Sequence, residues 1–291
     1  MMLRMTYPSF STHLRVPRAL FAVLGFLALA LGATPAAANS DGQFDPENVA
    51  QVDLLPGWRM ADGRHMAALR IRLADGWKTY WRAPGETGIP PAFDWSGSRN
   101  VAGVQMHWPI PVVFDTAGAR TLGYKKELIL PITISPRRDG RKITVRGRVA
   151  LGVCSDVCLP MEATFSAVLP ASGEDGSAAL IRKSLARLPK PGASAGLGRI
   201  SCEVEPISDG LRVTARLTLP RVGADEIGVI EPADQTIWVS PTELTRNGNT
   251  LTLVSELVPP SARPFLLSRS DIRISVFAGG KGVDIASCAG S

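Results

Sequence analysis

The sequence predicts an all-β protein, two β-sandwich domains joined by a linker that carries one short helix. Three observations point there. Short runs of alternating apolar and polar residues, broken by Gly, Pro and Asp, recur before residue 170 and again after residue 199. Residues 171–198 between them change character altogether. The length left after an amino-terminal leader, about 250 residues, suits two domains of about 100–130 each.

Residues 1–38 read as a secretory signal. Arg4, Arg15 and Arg18 form a positive leader, Ala19 to Leu31 is an apolar run, and Ala36-Ala37-Ala38 offers small residues for cleavage before Asn39. The run falls short of the roughly 20 apolar residues of a membrane span. No later stretch is longer, so no integral membrane segment is expected after cleavage. Removing the three leader arginines from 32 basic against 26 acidic residues leaves a net charge of +3. That is too mild for a nucleic-acid binder, and no basic stripe with interleaved aromatics accompanies it.

Residues 42–170 form the first predicted sandwich. Met66 to Leu73, Glu127 to Ile134, Ile143 to Val149 and Ala163 to Leu169 read as strands, with Pro131 pointing to an edge or a bulge. Two stretches rich in aromatics and proline interrupt them, Gly76 to Pro91 and His107 to Pro111. In residues 171–198, a polar loop leads into a helical spacing from Ala178 to Leu188, with Leu180, Ile181, Leu185 and Leu188 on one face. Pro189 and Pro191 end the helix, and Gly192 to Gly198 is a small-residue linker. The second predicted sandwich, residues 199–291, contains strands at Leu211 to Leu219, Thr236 to Val239, Thr250 to Leu257 and Asp271 to Phe277.

Four cysteines lie in the exported part, where disulfides persist. Four allow three pairings, and position favours Cys154 with Cys158 and Cys202 with Cys288. The pairs are 4 and 86 positions apart. The chain-entropy model gives the first about 2 kcal/mol and the second about 4.6. Cys202–Cys288 is therefore the structural staple of the second domain, and Cys154–Cys158 contributes little to folding. Weakly stabilising, easily reduced bonds are the ones that exchange. A hairpin clip and a soft-metal site are the other readings of a C-x-x-x-C pair. Copper(I) would take Cys154 and Cys158, with Met161 as a third donor. Zinc would need both remaining histidines, His65 and His107, brought in from separate segments. No cofactor is expected. Gly-rich phosphate loops and His-Glu-x-x-His helices do not occur in the sequence, and the string Gly192 to Gly196 belongs to the small-residue linker.

The motifs also carry a family likeness. They are Gly76-Trp77-Lys78-Thr79-Tyr80-Trp81-Arg82 with Pro84-Gly85 and Gly88-Ile89-Pro90-Pro91, then Trp108-Pro109, Gly123-Tyr124, and Val153-Cys154-Ser155-Asp156-Val157-Cys158-Leu159-Pro160. The stretch from Gly76 to Leu169 resembles the periplasmic amino-terminal domain of the thiol:disulfide interchange family DsbD, particularly its ScsB-like relatives. The resemblance implies an immunoglobulin-like sandwich in the periplasm. Its cysteine pair, here Cys154 and Cys158, takes electrons from a membrane donor and passes them to thioredoxin-fold proteins. DsbD spaces its pair by five residues, whereas this chain and the ScsB-like group use three. The membrane-embedded and terminal thioredoxin-like domains have no counterpart here, so the donor is expected to be a separate protein.

Around the pair, Tyr80, Trp81 and Tyr124 are candidates for a site wall or cap, each weighed against a place in the sandwich core. Asp156, between the cysteines, disfavours a thiolate, and Lys125, Lys126 or Arg148 could offset it. Glu86 and Asp94 are proton-relay candidates whose plainer role is that of solvated carboxylates. If the sandwiches only dock partners, the protein is a non-catalytic interaction module, since fold alone does not choose between these functions.

Overall fold

The computed structural model describes residues 48–116 and 118–289, which fall in one compact unit. The leader assignment, residues 1–38, lies outside the described residues. Among the described residues no helix is long and apolar enough to cross a membrane.

The first sandwich runs β1 (Ala50–Arg59), β2 (His65–Leu73), β3 (Lys78–Tyr80), β4 (Ala92–Asp94), β5 (Gly103–Met106), β6 (Val112–Thr116), β7 (Ala119–Lys125), β8 (Glu127–Ser135), β9 (Ile143–Cys154) and β10 (Cys158–Leu169). One sheet has the order β1-β2-β8-β5 and the other β10-β9-β3-β7-β6, with β4 also paired to β9. Their inner faces meet in a core that includes Leu69, Ile71, Leu130 and Ile132 from one sheet and Val149, Leu151, Val153 and Phe165 from the other. On β9 the odd-numbered residues Val149, Leu151 and Val153 are buried in that core, so the even-numbered positions face outward.

A helix α1 (Ala178–Leu185) follows. It packs Ile181 against Met66, Ala68 and Ile129, on the outer face of the β2–β8 sheet. The segment before it is stitched to β1. Asp175 Oδ1 accepts from Gly57 N at 3.1 Å, and Asp175 N donates to the Gly57 carbonyl at 3.0 Å. Gly57 sits in a β1 irregularity at φ +66°, where a Cβ would lie 2.1 Å from the Met66 carbonyl oxygen, so only glycine fits.

The second sandwich comprises β11 (Lys190–Pro191), β12 (Ile200–Pro206), β13 (Leu211–Thr218), β14 (Ile227–Pro232), β15 (Trp238–Val239), β16 (Glu243–Asn247), β17 (Thr250–Val258), β18 (Ile272–Ala278) and β19 (Lys281–Ile285). Its sheets have the orders β11-β19-β18-β14 and β12-β13-β17-β15, with β16 also on β17. The protein is thus all-β, built of two immunoglobulin-like sandwiches with one short helix between them. Cys202 on β12 is bonded to Cys288, just beyond β19, and both are buried. The bond ties the two sheets of the second sandwich together.

Two local expectations are corrected. Pro131 lies on β8, an inner strand between β2 and β5, not on an edge. It is tolerated because the β5 ladder ends at Met106 opposite Ile132. The next residue, His107, donates its N–H to the Pro131 carbonyl at 2.8 Å and needs none in return. On α1 the buried side chains are Ala178, Ile181 and Ser184, whereas Leu180 is exposed. Ser184 replaces the expected leucine on the inner face because its hydroxyl donates to the Ile129 carbonyl at 2.6 Å.

Replacing Cys202 and Cys288 together by alanine should lower unfolding free energy by about 3–5 kcal/mol in a denaturant titration. The same change at Cys154 and Cys158 should cost about 2 kcal/mol or less. Equal losses would contradict the staple role.

Candidate functional site

Cys154 ends β9 and Cys158 begins β10, directly opposite each other in the antiparallel register. Ser155-Asp156-Val157 form the turn between them, closed by Ser155 N donating to the Val157 carbonyl at 3.1 Å. The two cysteines are bonded to each other, with Cα atoms 4.1 Å apart. They differ sharply in access. Cys154 is 0 % exposed, while Cys158 and the whole turn are open to solvent.

The register explains why Cys154 is covered. It occupies an even-numbered, outward position on β9, and the short strand β3 lies alongside with Lys78 opposite Cys154 and Thr79 opposite Val153. Thr79 Oγ1 donates to the Gly152 carbonyl at 2.8 Å and holds the two strands together. Tyr80 then returns to the cysteine face. Its neighbours there are Gly123, its partner on β7, and Gly152 on β9. Neither neighbour has a side chain, the ring packs close over Gly152, and its hydroxyl reaches the sulfurs. That hydroxyl donates to Cys154 Sγ at 2.9 Å and lies 3.3 Å from Cys158 Sγ. Burial pushes the Tyr80 phenol above its ordinary value, so it keeps its proton.

The segment from Arg82 to Pro91 forms a cover over the same face. A Cβ on Gly152 would come within 2.6 Å of Ile89 Cβ and 3.1 Å of the Tyr80 ring, so Ile89 is packed on the glycine backbone. A Cβ on Gly88 would similarly strike Pro84 at 2.3 Å and Tyr80 at 3.0 Å. Tyr80 is thus roofed by Pro84, Gly88 and Ile89. The cover is anchored by Leu122 N, which donates to the Pro84 carbonyl at 2.9 Å.

Of the three wall candidates, Tyr80 alone touches sulfur. Trp81 is fully buried in the core, edge-on to Phe277 of β18 at 5.2 Å. Tyr124 pairs with Thr79 on the core side, stacks near Trp108 and donates its hydroxyl to the Pro109 carbonyl at 2.7 Å. Met161, the suggested third donor for copper(I), is a core residue, on the opposite face of β10 from Cys158. The two histidines of a zinc site sit by the other sheet. His65 Nε2 lies 2.6 Å from the Pro56 carbonyl and His107 Nε2 lies 2.7 Å from Thr133 Oγ1. Burial lowers both imidazole values, keeping the rings neutral.

The charges also sort differently from expectation. Arg148 is paired with Asp94 at 2.9 Å. Lys126 supplies a backbone carbonyl to Leu73 N at 2.7 Å. Lys125 stands opposite Lys78, which stands opposite Cys154, so one cross-strand row holds two lysines and both cysteines. The Lys78 ammonium leans 4.8 Å over the Phe114 ring. Glu86 is an exposed residue of the cover. Asp94 is held to about 2 by hydrogen bonds from the Ser96 backbone and side chain, then by Arg148. A carboxyl that acidic is ionised at neutral pH and does not relay protons.

Lys78, Thr79, Gly152 and Ile89 are the site residues that spacing alone missed. Alternation of β3 against β9 would have found the first two had the short strand been recognised.

In the reduced protein, Tyr80→Phe should disfavour the Cys154 thiolate, read from thiolate absorbance across a pH titration, because a donor to the charged form is lost. An unchanged titration would remove Tyr80 from the site. The Asp94 carboxyl, followed by NMR, should titrate at about 2. Since its folded value is depressed, its contribution to stability is present above about pH 4 and disappears as pH falls through about 2.

Residues 49–170 match the family described as thiol:disulfide interchange protein DsbD, N-terminal. In structure the chain is similar to the N-terminal periplasmic domain of ScsB from Proteus mirabilis. The TM-score is 0.58 at 23% identity, over 81% of this chain and 90% of that one. The Streptococcus agalactiae AgI/II polypeptide BspA C-terminal domain aligns at TM-score 0.14 and 10% identity, over 81% and 94%, too remote to argue from. No curated protein matches the chain in sequence. The ScsB likeness spans both sandwiches and speaks for the fold, while the sequence match falls on the sandwich that carries the roofed cysteine pair. Residues 49–170, the first sandwich, are therefore similar to the amino-terminal domain family of the thiol:disulfide interchange protein DsbD.

Proposed function

We propose that this protein is a periplasmic thiol–disulfide exchange protein whose reacting pair is Cys154 and Cys158. In this reading the sandwich of residues 42–170 is the exchange domain, residues 171–198 are the connector, and residues 199–291 are a second domain. Electrons arrive from a membrane donor and leave to thioredoxin-fold partners.

The observation that carries the reading is the unequal access of the two sulfurs. Disulfide exchange needs an attackable sulfur and a leaving thiolate. Cys158 presents the first at the surface, and Cys154, under the Tyr80 hydroxyl, supplies the second. A partner thiolate attacks Cys158 Sγ, the Cys154–Cys158 bond breaks, and its electron pair stays on Cys154 as thiolate. The Tyr80 hydroxyl is already aimed at that atom. The partner's second thiolate then attacks its own sulfur in the mixed disulfide and releases Cys158. The pair leaves reduced by two electrons and the partner oxidised.

Run in the other direction, Cys158 attacks a partner's disulfide and Cys154 resolves the intermediate. The cover shields Cys154 from adventitious oxidants and leaves Cys158 open to a partner. The short ring between the cysteines suits opening and closing, because breaking it forfeits little folding free energy.

A Cys154→Ser protein recovered from the periplasm should carry a mixed disulfide through Cys158 with a thioredoxin-fold protein, released by reductant. A Cys158→Ser protein should carry far less. The Cys154–Cys158 potential, measured against glutathione, should lie above about −300 mV, the level below which bonds behave as inert. An inert pair with no trapped partner would sink the proposal.

A further inference from the structure

The root of the cover is gripped from outside its own sandwich. Arg82 follows Tyr80 and Trp81 directly and begins the segment that roofs the site. Its guanidinium reaches the second sandwich and makes a two-pronged contact with Glu231 of β14, Nε to Oε2 at 2.8 Å and Nη2 to Oε1 at 3.0 Å. Nη2 also lies 3.3 Å from Ser275 Oγ on β18 and 3.5 Å from Asp284 Oδ1 on β19. The same guanidinium is stacked 4.1 Å over the Trp81 ring, whose edge contact is Phe277. Glu231 is 5 % exposed. A buried, forked ion pair fixes the direction of both partners more tightly than a surface pair does.

Two further observations bear on what this grip does. Tyr80 is two residues before Arg82, and β3 is only three residues long, so beyond it the chain is held by Arg82 and by the buried Trp81, whose backbone N–H donates to the Leu122 carbonyl at 2.9 Å. On the other side, the cover borders a cleft of about 730 Å3 between the sandwiches. Pro84, Gly85, Glu86 and Gly88 line it on one side and β14 on the other. The cover has open space to swing into once its root is released.

We propose that Glu231 of the second sandwich is a positioning residue for the cysteine pair. Acting through Arg82, it holds the Pro84–Ile89 roof closed on Tyr80 and keeps Cys154 covered. The second sandwich is then a working part of the site, and a partner that enters the cleft and disturbs Glu231 opens the roof. This deepens the exchange reading by naming what controls access to the pair.

The test uses the full chain with dithiothreitol as probe. Both disulfides of wild type and Glu231→Gln are followed by timed alkylation and mass spectrometry, with Cys202–Cys288 as internal reference. The variant should reduce Cys154–Cys158 about fivefold faster, the effect of a modest shift toward the open cover, while Cys202–Cys288 keeps its wild-type rate. Equal rates for Cys154–Cys158 in the two proteins would overturn the proposal, and so would a parallel acceleration of both bonds, which marks general loosening. If Glu231→Gln does not fold, Arg82→Lys keeps the charge and loses the fork, and the same selective acceleration is required of it. The outcome is separable from the exchange reading. A selective effect with dithiothreitol in a protein that traps no partner upholds the positioning role and refutes the relay.

Discussion

The register of β9 against its two neighbours is the constraint on which the rest of the molecule's chemistry depends. Strand alternation sends Val149, Leu151 and Val153 inward and leaves Gly152 and Cys154 outward. A slip of one residue would bury the cysteine in the core and turn Val153 to the surface, so the burial of the valines, worth about 1.5–3 kcal/mol each, enforces the placement of the sulfur. The same register sets Cys158 opposite Cys154 and Lys78 beside it. Tyr80 follows two positions along β3, on the same face. Chemistry and packing use alternate residues of one strand.

The tyrosine makes the arrangement asymmetric. A hydroxyl that keeps its proton, placed under one sulfur and beside the other, gives two cysteines of identical covalent chemistry different environments. The glycines on either side of Tyr80 are as necessary as the ring itself. At Gly152 a methyl group would meet both the roof and the ring, and at Gly123 it would lie 2.1 Å from the Thr79 carbonyl oxygen. Small residues make room for the one large residue that touches both sulfurs.

Much of this was legible in the sequence. The long strands, the intervening helix and the Cys154–Cys158 pairing follow from alternation, turn residues and spacing, because each is a local pattern, and that pairing leaves Cys202 for Cys288. The family likeness fell on the first sandwich and included Tyr80 in its motif. Short strands such as β3 and β4, three residues each, fell below what alternation can reveal. Trp81 and Tyr124 read ambiguously because an aromatic beside a site and one in a core look alike in sequence. Their location is decided by strand parity, which requires the register. Met161 was placed near the cysteines by sequence proximity, yet an odd spacing from Cys158 along a strand puts it on the other face. Arg82 with Glu231, 149 positions apart, lay beyond any local pattern.

Phe277 belongs to the core of the first sandwich although its strand is part of the second. Its ring is a wall of the pocket that holds Trp81, so the first sandwich does not close its hydrophobic interior alone. Excising the first sandwich at the connector would leave an indole edge facing water, at the residue that follows Tyr80. A truncated fragment is therefore a poor stand-in for the intact chain, because the cut would alter the tyrosine's neighbour before any chemistry was measured.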